Sequence, residues 1–272
     1  MKNKSETNVK ITARGIRSIL RSYNSKLAFA EYIWNGFDAS ATTIKINYKA
    51  NNFGFLESLE IVDNGYGIDF EKLSEKFNPF YDSEKKIELS NPKHTSAMHG
   101  KNGVGRLTFF TFANTAEWIT TFKKGEVLLS GQIKINGDAL NQYTDTLLTK
   151  AISKKTGTTV RFTNFSISED DLNNNIFPFL INEFCWFLEL HKEKNIEILV
   201  NDQPLDYSTN VVIEIPFELI ENETKFKIRY IQWHDMLHKE FSKIYFITSL
   251  TDFSFLNSIK EFINDEILFL SL

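Results

Sequence analysis

Glu31, Asn35 and Asp38 lie in the stretch Glu31-Tyr32-Ile33-Trp34-Asn35-Gly36-Phe37-Asp38-Ala39. Their spacing of i, i+4 and i+7 puts all three on one face of a helix. A carboxylate and an amide one turn apart can hold a water and a metal ion side by side. The other residues of 27–39 are almost all apolar, so the helix that carries the stripe is expected to be mostly buried. A buried polar stripe costs free energy unless something satisfies it. A bound substrate or metal, an ordinary core network, or the wet side of a surface helix would each account for this stripe taken alone.

A second signal follows a strand-like run. Residues 58–62 lead into Asp63-Asn64-Gly65-Tyr66-Gly67. An Asp at a strand end followed by Gly-x-Gly lets backbone come close to a ligand where a Cβ would clash. The carboxylate can accept from an exocyclic amine such as that of adenine. Asn-Gly is also the usual hairpin dipeptide, but Phe70, Leu73 and Phe77 then repeat with a helical period rather than as a partner strand. The third signal is His99-Gly100-Lys101-Asn102-Gly103-Val104-Gly105, just before the apolar run 107–113. Glycines ahead of a helix can cradle an anion on bare N–H groups and the helix N-terminus. It is not a P-loop, since Gly-Lys-Ser/Thr is missing, and it does not follow a strand as a dinucleotide fingerprint does.

The elements that must position these residues are partly readable. Residues 11–23 predict a short helix with Arg14, Arg17 and Arg21 on one side, read as a solvated face. The stripe helix spans about 26–39. Strands are predicted over 42–49, 58–62, 116–122, 127–135, 157–162 and 195–200, the last turning at Asn201-Asp202. Residues 170–191 read as one long apolar helix, capped by Glu169, Asp170 and Asp171 and bent near Pro178. Residues 225–233 and 243–248 read as strands, and the last 20 residues, 253–272, as an apolar helix. Residues 78–102 are polar, hold two prolines and have no period. A loop that long in a compact domain is usually functional, and a lid is one form.

Composition bounds the rest. The chain has 272 residues, 42% hydrophobic and 24% charged, with 25 Phe, which predicts an aromatic-rich core. Its net charge of −4 gives no electrostatic case for a nucleic-acid surface. The single cysteine, Cys185, excludes an intrachain disulfide and a cysteine-based zinc site, and its aromatic neighbours suggest a buried, inert thiol. No run of about 18 apolar residues suggests a membrane span, and the N-terminus lacks the apolar core of a signal peptide. The expected setting is cytoplasmic, with no membrane.

In this order, the motifs resemble the GHKL ATPase superfamily, named for gyrase, the heat-shock chaperone, histidine kinases and MutL. The resemblance rests on Glu31/Asn35/Asp38/Ala39, Asp63/Gly65/Gly67, Gly100/Gly103/Gly105 and Gly157/Thr158, and covers about residues 15–202. The glycine turn followed by Arg106-Leu107, and the strand ending Val200-Asn201-Asp202, look most like the MORC and heat-shock-chaperone branch. The resemblance implies an α/β (α+β) two-layer sandwich of Bergerat type. Its mixed, mainly antiparallel sheet carries helices on one face and is followed by a short strand-rich C-terminal extension. It divides the chain into an N-terminal arm (1–25), an ATP-binding domain (26–205) with a lid at about 78–102, and the start of a second, transducer-like domain (206–272).

By the same resemblance ATP and Mg²⁺ are the cofactors. Asn35 coordinates Mg²⁺, and Glu31 positions or deprotonates the attacking water. Asp63 receives the adenine amine, assisted by Thr158 through water. Gly65 and Gly67 make room for base and ribose. Asp38, Ile68, Gly100, Lys101 and Asn102 complete the nucleotide site, and Gly103, Val104 and Gly105 wrap the phosphates. Arg106 reaches either phosphate or a carboxylate. Lys85, Lys86, His94 and His99 in the lid read as solvated, and Lys243 is a candidate γ-phosphate contact by position alone. In hydrolysing members a second domain sends a lysine to the γ-phosphate, and the region after Asn210 looks like only the opening strands of such a domain. The chain then reads as a fragment, a short form, or half of a partnership.

Three functions compete. The first is an ATP-driven switch, in which lid closure and ATP-dependent homodimerisation act on a protein partner, a downstream effector or a nucleic acid. Bacterial defence is one setting it would fit. The second is the catalytic domain of a histidine kinase, against which stands the absence of any histidine before the ATP motifs. The third is a non-catalytic ATP sensor or scaffold, against which stands the presence of Glu31.

Overall fold

Asn24 starts the central helix. Its backbone is extended and its side chain accepts from Leu27 N–H at 3.0 Å, satisfying one of the helix's orphan donors. In the computed structural model, which describes residues 12–77, 105–221, 224–235, 237, 244–247 and 266–271, this helix is α2, Ser25–Asp38. It ends where Ser40 takes a positive φ of 59°. Seven of its residues, from Ala28 to Gly36, are buried, while Glu31, Asn35 and Asp38 keep an intermediate exposure. The stripe therefore sits at the margin of a buried helix.

Beneath α2 lies a mixed sheet. Among the described residues its strands are β1 (Thr43–Ala50), β2 (Leu56–Asp63), β3 (Ala113–Lys124), β4 (Val127–Asn136), β5 (Thr144–Asp145), β6 (Thr149–Lys150), β7 (Gly157–Phe165), β8 (Glu197–Val200) and β9 (Gln203–Pro204). They run in the order β5-β4-β3-β7-β2-β1-β8-β9, with β6 also pairing on β4. All neighbours are antiparallel except β1 and β8. Period-two alternation puts Ile44 and Ile46, Leu59 and Ile61, Val160 and Phe162 on the buried face. The opposite face carries pairs such as Arg161–Glu60 and Lys45–Asp202. One face is thus covered and one is polar, the two-layer arrangement expected.

The second helix on that face carries a π turn. A three-residue α4 (Glu169–Asp171), opened by a Ser168–Asp171 capping box, passes into a π turn at Leu172–Ile176 and then α5, Phe177–Leu190. The long helix predicted over 170–191 is thus present, with a π turn inside it just ahead of Pro178. Pro178 has no N–H to give to the preceding turn, and the chain widens by one residue just ahead of it. Trp34 of α2 packs on Phe184 and Phe187 of α5 at centroid distances of 4.7 and 5.0 Å. Cys185 is buried there, and its burial pushes the thiol up to about 12, so it is inert as expected.

Helix α1, Ala13–Leu20, docks rather than lying open on its arginine side. Arg17 donates to Gly137 O at 2.8 Å and sits 5.5 Å over the Phe110 ring. The solvated reading fails for Arg17 because its long stem reaches a carbonyl and an aromatic face together, while Arg14 and Arg21 are exposed.

A second sheet follows in the order β10-β11-β13-β12, from β10 (Val211–Glu221), β11 (Thr224–Trp233), β12 (Ile244–Ile247) and β13 (Glu266–Ser271). The predicted strands at 225–233 and 243–248 are present, and β10 is an addition. The predicted C-terminal helix is corrected over 266–271, where β13 pairs with β11 antiparallel and β12 in parallel. A short unbroken apolar run has no period to separate strand from helix, and here sheet pairing decides. No helix among the described residues is long and apolar enough to cross a membrane.

Candidate functional site at the end of the central strands

The end of β2 gathers polar groups in a sheet otherwise apolar on this face. Asp63 is opposite Ile44 on one side and Thr158 on the other, and Thr158 is opposite Thr120. One register row therefore reads Ile44, Asp63, Thr158, Thr120 on the helix-covered face. Thr158 and Thr120 are both buried, with their hydroxyls 3.2 Å apart. Thr120 Oγ1 also accepts from Ile68 N–H at 2.8 Å, which pins the residue after the second glycine to β3.

The turn after β2 is not a hairpin. The Asp63 carboxylate accepts from Gly65 N–H at 2.9 Å, an Asx turn. Asn64 Oδ1 accepts from Thr42 and Thr43 N–H at 2.8 and 3.0 Å, and Tyr66 N–H donates to Ala39 O at 2.9 Å. The turn is thus sewn to the end of α2 and the start of β1. It then enters a 3₁₀ turn at Phe70–Lys72 and α3, Leu73–Phe77, the helical continuation predicted. The glycines serve this sewing. A Cβ on Gly65 would lie 2.8 Å from Ala39 Cβ, and one on Gly67, whose φ is 81°, would overlap the Thr121 carbonyl.

Burial pushes the Asp63 carboxyl up to about 6, against the lowering effect of N–H groups from Gly65 and Thr158. An ionised carboxylate has about four acceptor positions. Two backbone donors leave capacity for another, and a neutral amine suits a carboxyl so little solvated.

Two glycines set how α2 meets this strand end. A Cβ on Gly36 would overlap Ile44 Cδ1 and lie 3.1 Å from Asp63 Cβ, so the helix backbone rides directly over the row. At the other contact, a Cβ on Gly105 would overlap the Glu31 carboxylate. Gly105 opens a 3₁₀ element, Gly105–Thr111, in place of the α-helix expected after the glycine turn. The hydroxyls of Thr108 and Thr111 bond back to Gly105 O and Thr108 O at 2.7 and 2.8 Å, a three-residue closure that suits the tighter helix.

The predicted residues thus fall into two groups. Asp63, Gly65, Gly67, Ile68 and Thr158 form one cluster, Glu31 meets Gly105, and α2 bridges them with Asn35 and Asp38 half-buried on its margin. Gly100, Lys101, Asn102, Gly103 and Val104, the lid at 78–102 and Lys243 lie outside the described residues. Arg106 donates to Phe77 O at 2.9 Å, with its guanidinium 5.7 Å from the Phe77 ring centroid. Thr120, Asn64 and Tyr32 were not singled out in the sequence. Thr120 and Asn64 gain meaning only from strand register, and Tyr32 reads as one more apolar position on its helix.

Among the described residues no group of three or more His, Cys, Asp or Glu is placed to hold a metal. A cation here would depend on Asn35 together with ligand oxygens. A family model described as histidine kinase-, DNA gyrase B- and HSP90-like ATPase matches residues 23–168. No curated protein matches the chain.

Proposed function

The chain belongs to the histidine kinase-, DNA gyrase B- and HSP90-like ATPases, and from that premise we propose that it is an ATP-hydrolysing conformational switch. The observation that carries the reading is the double contact of α2, with Asp63 through Gly36 and with Gly105 through Glu31. One rigid helix thereby sets the separation between a base-binding carboxylate and a candidate catalytic one.

Asp63, with Thr158 beside it, accepts the adenine amine. Asn35 would hold a magnesium ion, whose charge offsets that of the phosphates. Glu31 orients the attacking water and takes its proton. Phosphoryl transfer to water asks for this positioning more than for covalent chemistry, and a general base contributes about 10²–10⁴-fold. Asp38 and Ile68 support the pocket wall. Gly100, Lys101, Asn102, Gly103, Val104 and Gly105 take the phosphates, on the strength of the motif. Nucleotide-driven closure would then pair two copies and act on a protein partner.

The test is ATP binding and Mg²⁺-dependent phosphate release on one sample, wild type beside Glu31→Ala. Binding by both with release only by wild type is the expected result. Binding by both with release by neither makes the chain a sensor, and no binding by wild type ends the reading.

A further inference from the structure

Two consecutive residues of α2 meet two consecutive residues of the 3₁₀ element. Glu31 lies against Gly105, and the Tyr32 hydroxyl donates to Arg106 O at 2.8 Å. A single contact would leave the glycine end free to pivot about the carboxylate. Two adjacent contacts fix both its distance and its rotation. Neighbouring helix positions are about 100° apart, so Tyr32 anchors the helix on its buried side while Glu31 stays at the margin. The ring itself cannot wander, since it packs on Phe162 at 5.1 Å and on Phe112 and Trp118 at 6.4 Å. Behind the junction, Arg106 fastens to Phe77 O, the last residue of α3.

We infer that Tyr32, backed by Arg106, is a positioning pair for Glu31, latching the Gly105 turn to α2 so that the carboxylate is held in one orientation. The inference rests on the reading of Glu31 as the base. Burial supports it by holding the phenol well above its ordinary pKa, so the hydroxyl remains a donor throughout the working pH range.

Tyr32→Phe removes one oxygen and keeps the ring. The expected result is a fall in kcat for phosphate release of about 10- to 100-fold, the size of loss that small misplacements produce, with the ATP dissociation constant within about twofold of wild type. An undiminished kcat, or a loss carried by the ATP dissociation constant instead of kcat, would overturn the proposal.

Amide exchange in the nucleotide-free protein separates this from the function itself. Residues 105–111 should exchange about tenfold faster in Tyr32→Phe, as expected when local opening becomes easier. Unchanged exchange sinks the latch even if ATP is hydrolysed. Faster exchange in a protein that binds no ATP would keep the latch and end the ATPase reading. A thermal scan checks that the variant folds. If it does not, Arg106→Gln loosens the same turn from the α3 side and should lower kcat at constant affinity, and an unchanged kcat there counts against the latch.

Discussion

Asp63 is held in a state that costs the fold stability. Its carboxyl is raised to about 6 mainly by burial, against about 3.9 in an unfolded chain. Between those values the folded protein binds more protons than the unfolded one, so this group makes stability fall as pH rises through the window. At pH 7 its ionised form costs on the order of 2–3 kcal/mol. Asp63→Asn keeps an acceptor for Gly65 N–H and carries no charge. It should therefore leave the melting temperature at pH 7 unchanged or higher while weakening ATP binding at least tenfold. The difference between wild type and variant isolates Asp63, because His191 titrates the other way. Burial lowers His191 to about 4, so the unfolded chain takes up its proton first and stability is lost as pH falls through about 6.5 to 4. A variant less stable than wild type at pH 7, with normal affinity, would make Asp63 a purely structural residue.

Among the elements, α2 is where sequence and structure agree most closely. The stripe Glu31/Asn35/Asp38 could be read because helical periodicity is local and needs no knowledge of the fold. Gly36 sits in the same stretch, yet its role could not be read, since it depends on which strand passes beneath. Contact with Ile44 and Asp63 is a property of the sheet's register, as are the parts of Thr120 and Asn64. The π turn before Pro178 was half legible, since the proline marks the place but not the form of the break. Gly36→Ala tests the argument for α2. Replacing a helical glycine gains about 1 kcal/mol of helix propensity, and overpacking against Ile44 costs about 1–3 kcal/mol. The two nearly cancel, so stability should change by less than about 2 kcal/mol. The displacement falls on Asp63, and ATP affinity should drop severalfold or more in equilibrium binding. Normal affinity would mean that α2 need not ride so close to the strand end.

For the whole molecule, α5 joins two sheets. Glu189 is buried with only 3% of its side chain exposed, and it accepts from Tyr207 at 2.7 Å, from Lys192 at 3.4 Å and from Arg229 of β11. Asn182, two turns earlier on α5, bonds Asp235 at 2.9 Å and also Asn210. Ile231 and Trp233 belong to the same buried cluster as Trp34 and Phe184. The family resemblance places a domain boundary between residues 205 and 206. It could not show that a carboxylate on the preceding helix would reach the strand beyond. Removing Arg229 leaves Glu189 buried with fewer donors, and loss of one partner of a buried pair costs about 3–5 kcal/mol. Arg229 is itself about a third exposed, which lowers the expectation for Arg229→Ala to about 2–3 kcal/mol in denaturant unfolding. One continuous core further implies that amides of β3 and β11 lose protection together as denaturant rises. If β11 opens at lower denaturant in the variant while β3 does not move, the clamp is local and the second sheet folds as a unit of its own. If both shift together, the two sheets open as one cooperative unit joined through α5.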